Sequence, residues 1–207
     1  MSGNSNPAIS EKIRIESLSD LIFGLALSIG SLVLISRIPT SPSQLTTDVV
    51  QFAFSFIILV VIWTIYTTIV RVLSIETNFA FILNILLLFT VSIEPFLFYV
   101  VVSGSSFENF ATSVYGLDIG LMYFILFGMI TVALSQLKRK GSGLPVHELR
   151  ALSRRRIVQL IGGALFVVSS LPYFWVQFPF GGYLRLDLWI AGFFTFLLFR
   201  LWQKISK

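Results

Sequence analysis

Apolar segments that are long enough to cross a lipid bilayer recur along this chain, and they limit the folds open to it. A hydrocarbon core of roughly 30 Å requires about 20 apolar residues in a helix. We expect six such helices, over residues 17–36, 48–70, 77–102, 117–137, 157–176 and 187–203. The segments are continuously apolar, whereas the strands of a membrane barrel alternate apolar and polar residues. The predicted fold class is therefore all-α, a polytopic membrane protein with one six-helix domain over residues 1–207 and a frayed polar start over residues 1–13.

Composition excludes several functional classes. Hydrophobic residues make up 56% of the chain and charged residues only 12%, which is typical of an integral membrane protein. The chain has no cysteine, and His147 is its single histidine, so we expect no disulfide, metal site or other cofactor. No nucleophile elbow, phosphate loop or paired acidic motif occurs, and we therefore do not expect an enzyme.

The basic residues predict how the helices cross the membrane. With six spans and both termini in the cytoplasm, 13 of the 15 Lys and Arg residues lie in cytoplasmic segments, and only Arg37 and Arg185 lie outside. Positively charged residues are enriched in cytoplasmic segments of membrane proteins. The net charge of +5 therefore reflects topology, and no nucleic-acid partner is expected. The densest basic segment, residues 138–156, is predicted to be a cytoplasmic linker between helices four and five.

The first predicted helix differs from the others because small and hydroxylated residues interrupt its leucines. Leu21, Leu25, Ser28 and Leu32 share one helical face, and Gly24, Ser28 and Ser31 share an adjoining one. Small residues let membrane helices approach closely, so this helix is suited to packing on copies of itself around an axis. An ordinary packed membrane helix, with Ser17 and Asp20 as a capping pair, is the alternative.

Polar residues within the apolar segments predict a network that orients helix one. An amide such as Asn84 requires a hydrogen-bond partner in hydrocarbon. The candidate partners lie near the cytoplasmic ends of helices one and two: Arg14, Ser19, Asp20, Trp63 and Tyr66. Isolated bonds from side chains to the backbone would satisfy the same groups, and the sequence does not separate the two arrangements. Glu94 in helix three is either a buried structural partner or an interfacial residue.

These residues also resemble a known family. Arg14-x-x-x-Leu18-Ser19-Asp20 is similar to the motif that opens helix one in the endosomal/lysosomal transmembrane potassium channel family, in its prokaryotic branch. Ser55-Phe56 followed by Trp63, and the run of residues 83–89 (LNILLLF), resemble the family's patterns in helices two and three. Leu18 replaces the family's usual Phe. Tyr66 stands where prokaryotic members often carry His, so a pH-sensitive role at that position is not expected.

The resemblance implies a potassium-selective channel without the TVGYG filter of ordinary potassium channels. One six-helix repeat implies a homotetramer in a prokaryotic plasma membrane, with K+ as the permeant ion and four copies of helix one lining the pore. By its distance from Asp20, Leu25 corresponds to the family's constriction, Ser28 to its selectivity layer and Leu32 to a further apolar layer. These residues share the face that helical spacing assigns to them together with Leu21.

Two other classes of function remain open from the sequence. The first is a proton-coupled or other secondary transporter, for which Glu94 is the candidate titratable group within the membrane. The second is a non-conducting membrane protein that binds partners through residues 138–156. Anionic lipid is a further candidate ligand of that basic segment.

Overall fold

A computed structural model of the chain describes residues 7–36, 38–73, 77–103, 107–139, 145–175 and 184–205. Residues 1–6, 37, 74–76, 104–106, 140–144, 176–183 and 206–207 lie outside the described residues. The expectations for part of the frayed start, for Arg37, for the middle of the basic linker and for parts of the other connections fall on them. The described part contains six α-helices and one short 3-10 helix. The α-helices are α1 Pro7–Ile35, α2 Pro42–Val70, α3 Asn78–Val102, α4 Glu108–Arg139, α5 Val146–Ser169 and α6 Leu184–Ile205. The sequence predicted this number and order of helices.

The first helix begins ten residues earlier than expected. It starts at Pro7 and continues through the polar segment, so the prediction of a frayed start was wrong for residues 7–13. Proline is compatible with the first turn of a helix because its missing N–H has no partner there in any residue. Ser17 and Asp20 therefore lie inside α1, and the prediction that they cap it was also wrong.

Three connections are shorter than predicted because the helix after each of them begins before its apolar segment. Helix α2 begins at Pro42, where the Ser41 side chain accepts a hydrogen bond from the backbone N–H of Gln44. Helix α4 begins at Glu108, nine residues before its predicted start. Helix α5 begins at Val146, so residues 146–156 of the predicted basic linker form its first three turns. An apolar segment shows only which part of a helix lies in lipid. Backbone hydrogen bonds extend the helix beyond that segment into polar sequence.

The two prolines inside predicted helices behave differently. Pro95 lies within α3, which continues past it to Val102, the predicted end of the helix. Pro172 lies outside α5, which ends at Ser169, seven residues before its predicted end, and a 3-10 turn follows over Pro172–Trp175. A proline inside a helix removes one backbone donor, and membrane helices tolerate it where neighbouring groups satisfy the freed carbonyl.

The helices pack in an order that leaves α1 at the side of the bundle. Helix α1 contacts α2 and α3, α3 contacts α4, and α5 lies between α4 and α6. Four helices of the described part are long and apolar enough to span a membrane: α1 (over Lys12–Ile35), α2, α3 and α4. Helix α4 is the most buried of these and α1 the least. The described part of the chain is thus an all-helical membrane protein whose first helix is the least buried of the four.

Glycines allow α4 and α5 to approach each other closely. A Cβ atom added at Gly120 would lie 2.7 Å from Val167 Cγ2 and 3.2 Å from the carbonyl oxygen of Gly163. Both distances are shorter than ordinary carbon contacts, and the second involves backbone that does not rotate away. The close approach of these two helices therefore depends on the absence of a side chain at Gly120.

We expect Gly120→Val to destabilise the protein by about 1–3 kcal/mol, because an added side chain forces α4 and α5 apart. The measurement is thermal unfolding of the purified protein in detergent. The control is Leu121→Val at the neighbouring, 48% exposed position of α4. Equal unfolding temperatures for the two variants would contradict the close packing.

Candidate pore helix and its anchoring network

Helix α1 has one buried face and one uncovered face within a single chain. Phe23, Ala26 and Val33 are buried against the rest of the bundle. Three leucines on the opposite side are largely exposed: Leu21 at 59%, Leu25 at 51% and Leu32 at 56%. The structure therefore places Leu21, Leu25, Ser28 and Leu32 on a surface that no other described residue of the chain covers. We call this surface the α1 open face.

Ser28 is the polar residue between the leucines of the α1 open face. Its hydroxyl donates to the carbonyl oxygen of Gly24, one turn earlier, at 2.8 Å. The hydroxyl hydrogen is therefore directed back to the helix, and the oxygen lone pairs remain available to a ligand. At a rise of about 1.5 Å per residue, Ser28 lies about 4.5 Å along the axis from Leu25 and about 6 Å from Leu32. A cation moving along this face would meet apolar, hydroxyl and apolar levels in turn.

A buried hydroxyl joins α1, α2 and α3. The Tyr66 hydroxyl in α2 lies 2.7 Å from Ser19 Oγ in α1 and 2.8 Å from Asn84 Oδ1 in α3, within hydrogen-bond distance of both. Ser19 Oγ in turn donates to the carbonyl oxygen of Ile15 at 2.8 Å. All three side chains are buried, Ser19 completely. The sequence proposed these residues as partners, and the structure brings them together in one chain of bonds.

A second contact holds α1 against α2 beside this network. The Trp63 indole N–H donates to Asp20 Oδ1 at 3.0 Å, and both side chains are exposed. Asp20 and Trp63 line a polar cavity of about 300 Å³ whose other lining residues are Glu16, Tyr66, Thr67, Val70 and Arg71. This end of the bundle, where α1 begins and α2 ends, is called the basic end because Arg14 and Arg71 lie there. The Asp20–Trp63 bond adds a charge-assisted contact to the buried one.

Arg14 is the one predicted network residue that stands apart. Its side chain is exposed, and no hydrogen bond or ion pair joins it to another of the described residues. The neighbouring ion pair, 3.9 Å between Lys12 Nζ and Glu16 Oε1, does not include it. Its role as an anchor of helix one therefore stays a prediction.

Two aromatic residues that the sequence analysis did not single out contact the buried polar side chains of the bundle. The Phe23 ring packs on the Tyr66 ring at a centroid distance of 5.6 Å and fixes the tyrosine beside α1. Tyr115 in α4 donates to Glu94 Oε1 at 2.9 Å, in the half of the bundle away from the basic end. Neither position carried a sequence signal, because apolar segments contain many aromatic residues that only pack. Glu94 itself is fully buried, so the interfacial alternative was wrong.

The described residues contain no group of three or more His, Cys, Asp or Glu side chains placed to hold a metal ion. The polar side chains around α1 instead form hydrogen bonds with one another, and these bonds orient α1. The class defined by fold and site is a polytopic α-helical membrane protein with an oriented, half-uncovered first helix.

A solved structure has a similar fold. It is a crystal structure of a variant of the potassium channel MtTMEM175 in complex with a nanobody–MBP fusion protein. The match covers 93% of this chain and 92% of that chain, with a TM-score of 0.52 and 17% sequence identity. No protein-family model matches the chain, and no curated protein matches it either. At this identity the likeness establishes the fold: the six-helix arrangement of a channel protein.

We expect Tyr66→Phe to destabilise the protein by about 1–3 kcal/mol, because it leaves the buried amide of Asn84 without its partner. Thermal unfolding in detergent measures the loss. Tyr99→Phe in α3 is the matched control, because that tyrosine is 43% exposed. If both variants unfold at the wild-type temperature, the Tyr66 hydroxyl does not tie the three helices together.

Proposed function

We propose that the chain is a subunit of a potassium-selective cation channel in which four copies surround a central pore with their α1 open faces. The observation that carries this proposal is the sequence of exposed levels on α1, with Ser28 between Leu25 and Leu32. A second support is the likeness of the whole fold to a potassium channel. A third is that α1 is the least buried of the four candidate spans, as a helix that packs on other subunits would be.

In this channel the leucine levels form apolar rings and Ser28 forms a ring of hydroxyls. Hydrophobic constrictions hold back hydrated ions by dewetting, so Leu25 and Leu32 are the proposed barriers, and Leu21 lines the pore beside them. Four Ser28 oxygens would replace part of the hydration shell of an ion between the barriers. K+ is preferred because it releases water more readily than Na+. No TVGYG filter is required for this arrangement.

The buried network sets the rotation of α1 about its own axis, and therefore the face that α1 turns toward the pore. The apolar rings form only if each of the four α1 helices presents the same face, and rotation by one residue would move Leu25 about 100° away. The bonds from Tyr66 to Ser19 and from Trp63 to Asp20 hold α1 against α2 on the side away from the open face. We propose that these residues position the pore helix and do not contact the ion.

In the proposed orientation the basic end faces the cytoplasm, and both termini lie there. Lys138, Arg139, Arg150 and Arg154 are exposed at the end of α4 and the start of α5. Such a cluster beside a membrane attracts anionic lipid headgroups, by about 1 kcal/mol per basic residue near the surface. We propose anionic lipid as its ligand, and the protein has no enzymatic activity in this scheme.

A secondary transporter is the alternative function. One observation favours it: Glu94 is a carboxyl group buried completely within a span, and intramembrane ionisable groups often serve ion pathways. A carrier would show a flux that saturates and that requires a second ion or a pH gradient. A channel would show unitary currents that need neither.

The decisive measurement is the reversal potential of the purified protein in planar bilayers, with K+ on one side and Na+ on the other. We expect unitary currents that reverse toward the potassium equilibrium potential. In Ser28→Ala the reversal potential moves toward zero, because the hydroxyl ring is lost. A reversal near zero in the wild type would remove potassium selectivity. Saturable, coupled flux without unitary currents would replace the channel with the carrier.

We expect Leu25→Ala to raise the single-channel conductance or weaken selectivity, because it widens the proposed constriction and lets it hydrate. Leu121→Ala, at an exposed leucine of α4 away from the proposed pore, is the control and should conduct like the wild type. Unchanged conductance and reversal potential in Leu25→Ala would place Leu25 outside the pore.

A further inference from the structure

The continuation of α1 through polar sequence gives Arg14 a fixed direction on that helix. Helix α1 is unbroken from Pro7 to Ile35, so Arg14 shares its helical register with the α1 open face. Leu32 follows Arg14 by 18 residues, which is five full turns at about 3.6 residues per turn. The two side chains therefore leave the helix in the same direction, and the direction of Leu25 differs from theirs by about 20°.

Exposure follows the same stripe along α1. Arg14, Leu18 and Ile35 are exposed and extend the α1 open face at both ends, in alternating steps of four and three residues. The buried residues of α1 between Ser19 and Val33 repeat with the same steps on the other side of the helix. Such spacing keeps one face of each helix toward a shared axis when copies pack together. Arg14 is therefore the first residue of this stripe.

The position of Arg14 along α1 corresponds to the surface of a membrane. At a rise of about 1.5 Å per residue, Arg14 lies about 27 Å along the axis from Leu32 and about 10 Å from Leu21. The first distance is close to the thickness of a hydrocarbon core, which is roughly 30 Å. When the leucines of the α1 open face lie within the membrane, the Arg14 guanidinium lies at the basic end, where water reaches it.

The other charged side chains that the structure describes in α1 point away from the α1 open face. Lys12 lies about 200° around the helix from Arg14, and its Nζ is 3.9 Å from Glu16 Oε1. Asp20 lies about 120° from Arg14 and accepts a hydrogen bond from Trp63 in α2. Among these described side chains, Arg14 is the one whose charge is on the side of the stripe.

We propose that Arg14 lines the cytoplasmic mouth of the pore, where four guanidinium groups form a ring of positive charge that limits the entry of K+ from the cytoplasm. This inference rests on the proposed channel function. Charges of one sign around an opening lower the local concentration of ions of the same sign, and salt screens the effect. Arg14 thus sets the rate of K+ entry from one side, while Leu25 and Ser28 set selectivity.

Unitary currents in planar bilayers at two salt concentrations test this role. The Debye length is about 30 Å at about 0.01 M salt and about 3 Å at about 1 M. In Arg14→Gln we expect the current of K+ that enters from the basic end to rise about twofold or more at low salt and to match the wild type at high salt. Lys12→Gln is the matched control, because it removes the same charge about 3 Å away along the axis but on the other side of α1. It should conduct like the wild type.

Failure of this inference is distinguishable from failure of the channel function. Equal low-salt currents in Arg14→Gln and the wild type, or an equal rise in Lys12→Gln, would overturn the role of Arg14 while the wild type still conducts K+. Absence of unitary currents in the wild type would overturn the channel function and this inference together.

Arg14→Lys separates the effect of charge from a role as an anchor. Lysine keeps the positive charge but lacks the planar fork of donors with which a guanidinium binds a partner. We expect wild-type currents in Arg14→Lys at both salt concentrations. If Arg14→Lys and Arg14→Gln both lose their currents or unfold at a lower temperature, Arg14 is an anchor of α1 and the proposal is overturned.

Chemical modification tests the position of residue 14 directly, because the chain has no cysteine of its own. Arg14→Cys is treated with a membrane-impermeant thiosulfonate that adds either a trimethylammonium or a sulfonate group. At low salt, we expect the trimethylammonium group to give a smaller K+ current than the sulfonate group, and only when the reagent is applied at the basic end. Lys12→Cys should show no such difference. Equal currents after the two reagents, with modification shown by mass spectrometry, would place residue 14 away from the conduction path and overturn the proposal.

Discussion

The hydrogen bonds of the Tyr66 hydroxyl hold the first helix in place, and the rest of the arrangement depends on them. In hydrocarbon no water is available to satisfy Ser19 or Asn84, so each must find a partner within the protein. The buried Tyr66 hydroxyl lies within hydrogen-bond distance of both Ser19 Oγ and Asn84 Oδ1, and its one hydrogen serves one of them at a time, while Ser19 Oγ donates to the carbonyl oxygen of Ile15. This requirement fixes which face of α1 is turned inward, and therefore which face is left open.

The two halves of the bundle provide partners for their buried polar side chains in different ways. Near the basic end, the junction is neutral and joins α1 to α2 and α3 through Tyr66. In the other half, the junction contains the Glu94 carboxyl group and joins α2 to α3 and α4 through it. Helix α1 takes part only in the first. Helices α2 and α3 thus take part in both junctions, while α1 is bonded near one end and held by apolar packing elsewhere.

Much of the fold follows from hydropathy, as the number and order of helices illustrate. The helix starts were less predictable: α1, α4 and α5 begin before their apolar segments, because backbone hydrogen bonding extends a helix into polar sequence that no membrane signal marks. The pairing of Tyr66 with Asn84 was foreseeable, since a lone amide in hydrocarbon requires a partner. The pairing of Glu94 with Tyr115 was not foreseeable, since the chain contains many aromatic residues and the sequence does not show which of them lies beside Glu94.

The sequence by itself determined that the chain is a helical membrane protein and that Leu21, Leu25, Ser28 and Leu32 share one face of its first helix. Helical periodicity and the dimensions of a bilayer are local properties, so they are encoded residue by residue. Only the tertiary structure decided that this face is uncovered, that Arg14 stands apart from the network and that Glu94 is completely buried. These facts depend on which helices become neighbours, and that is a property of contacts between residues far apart in the chain.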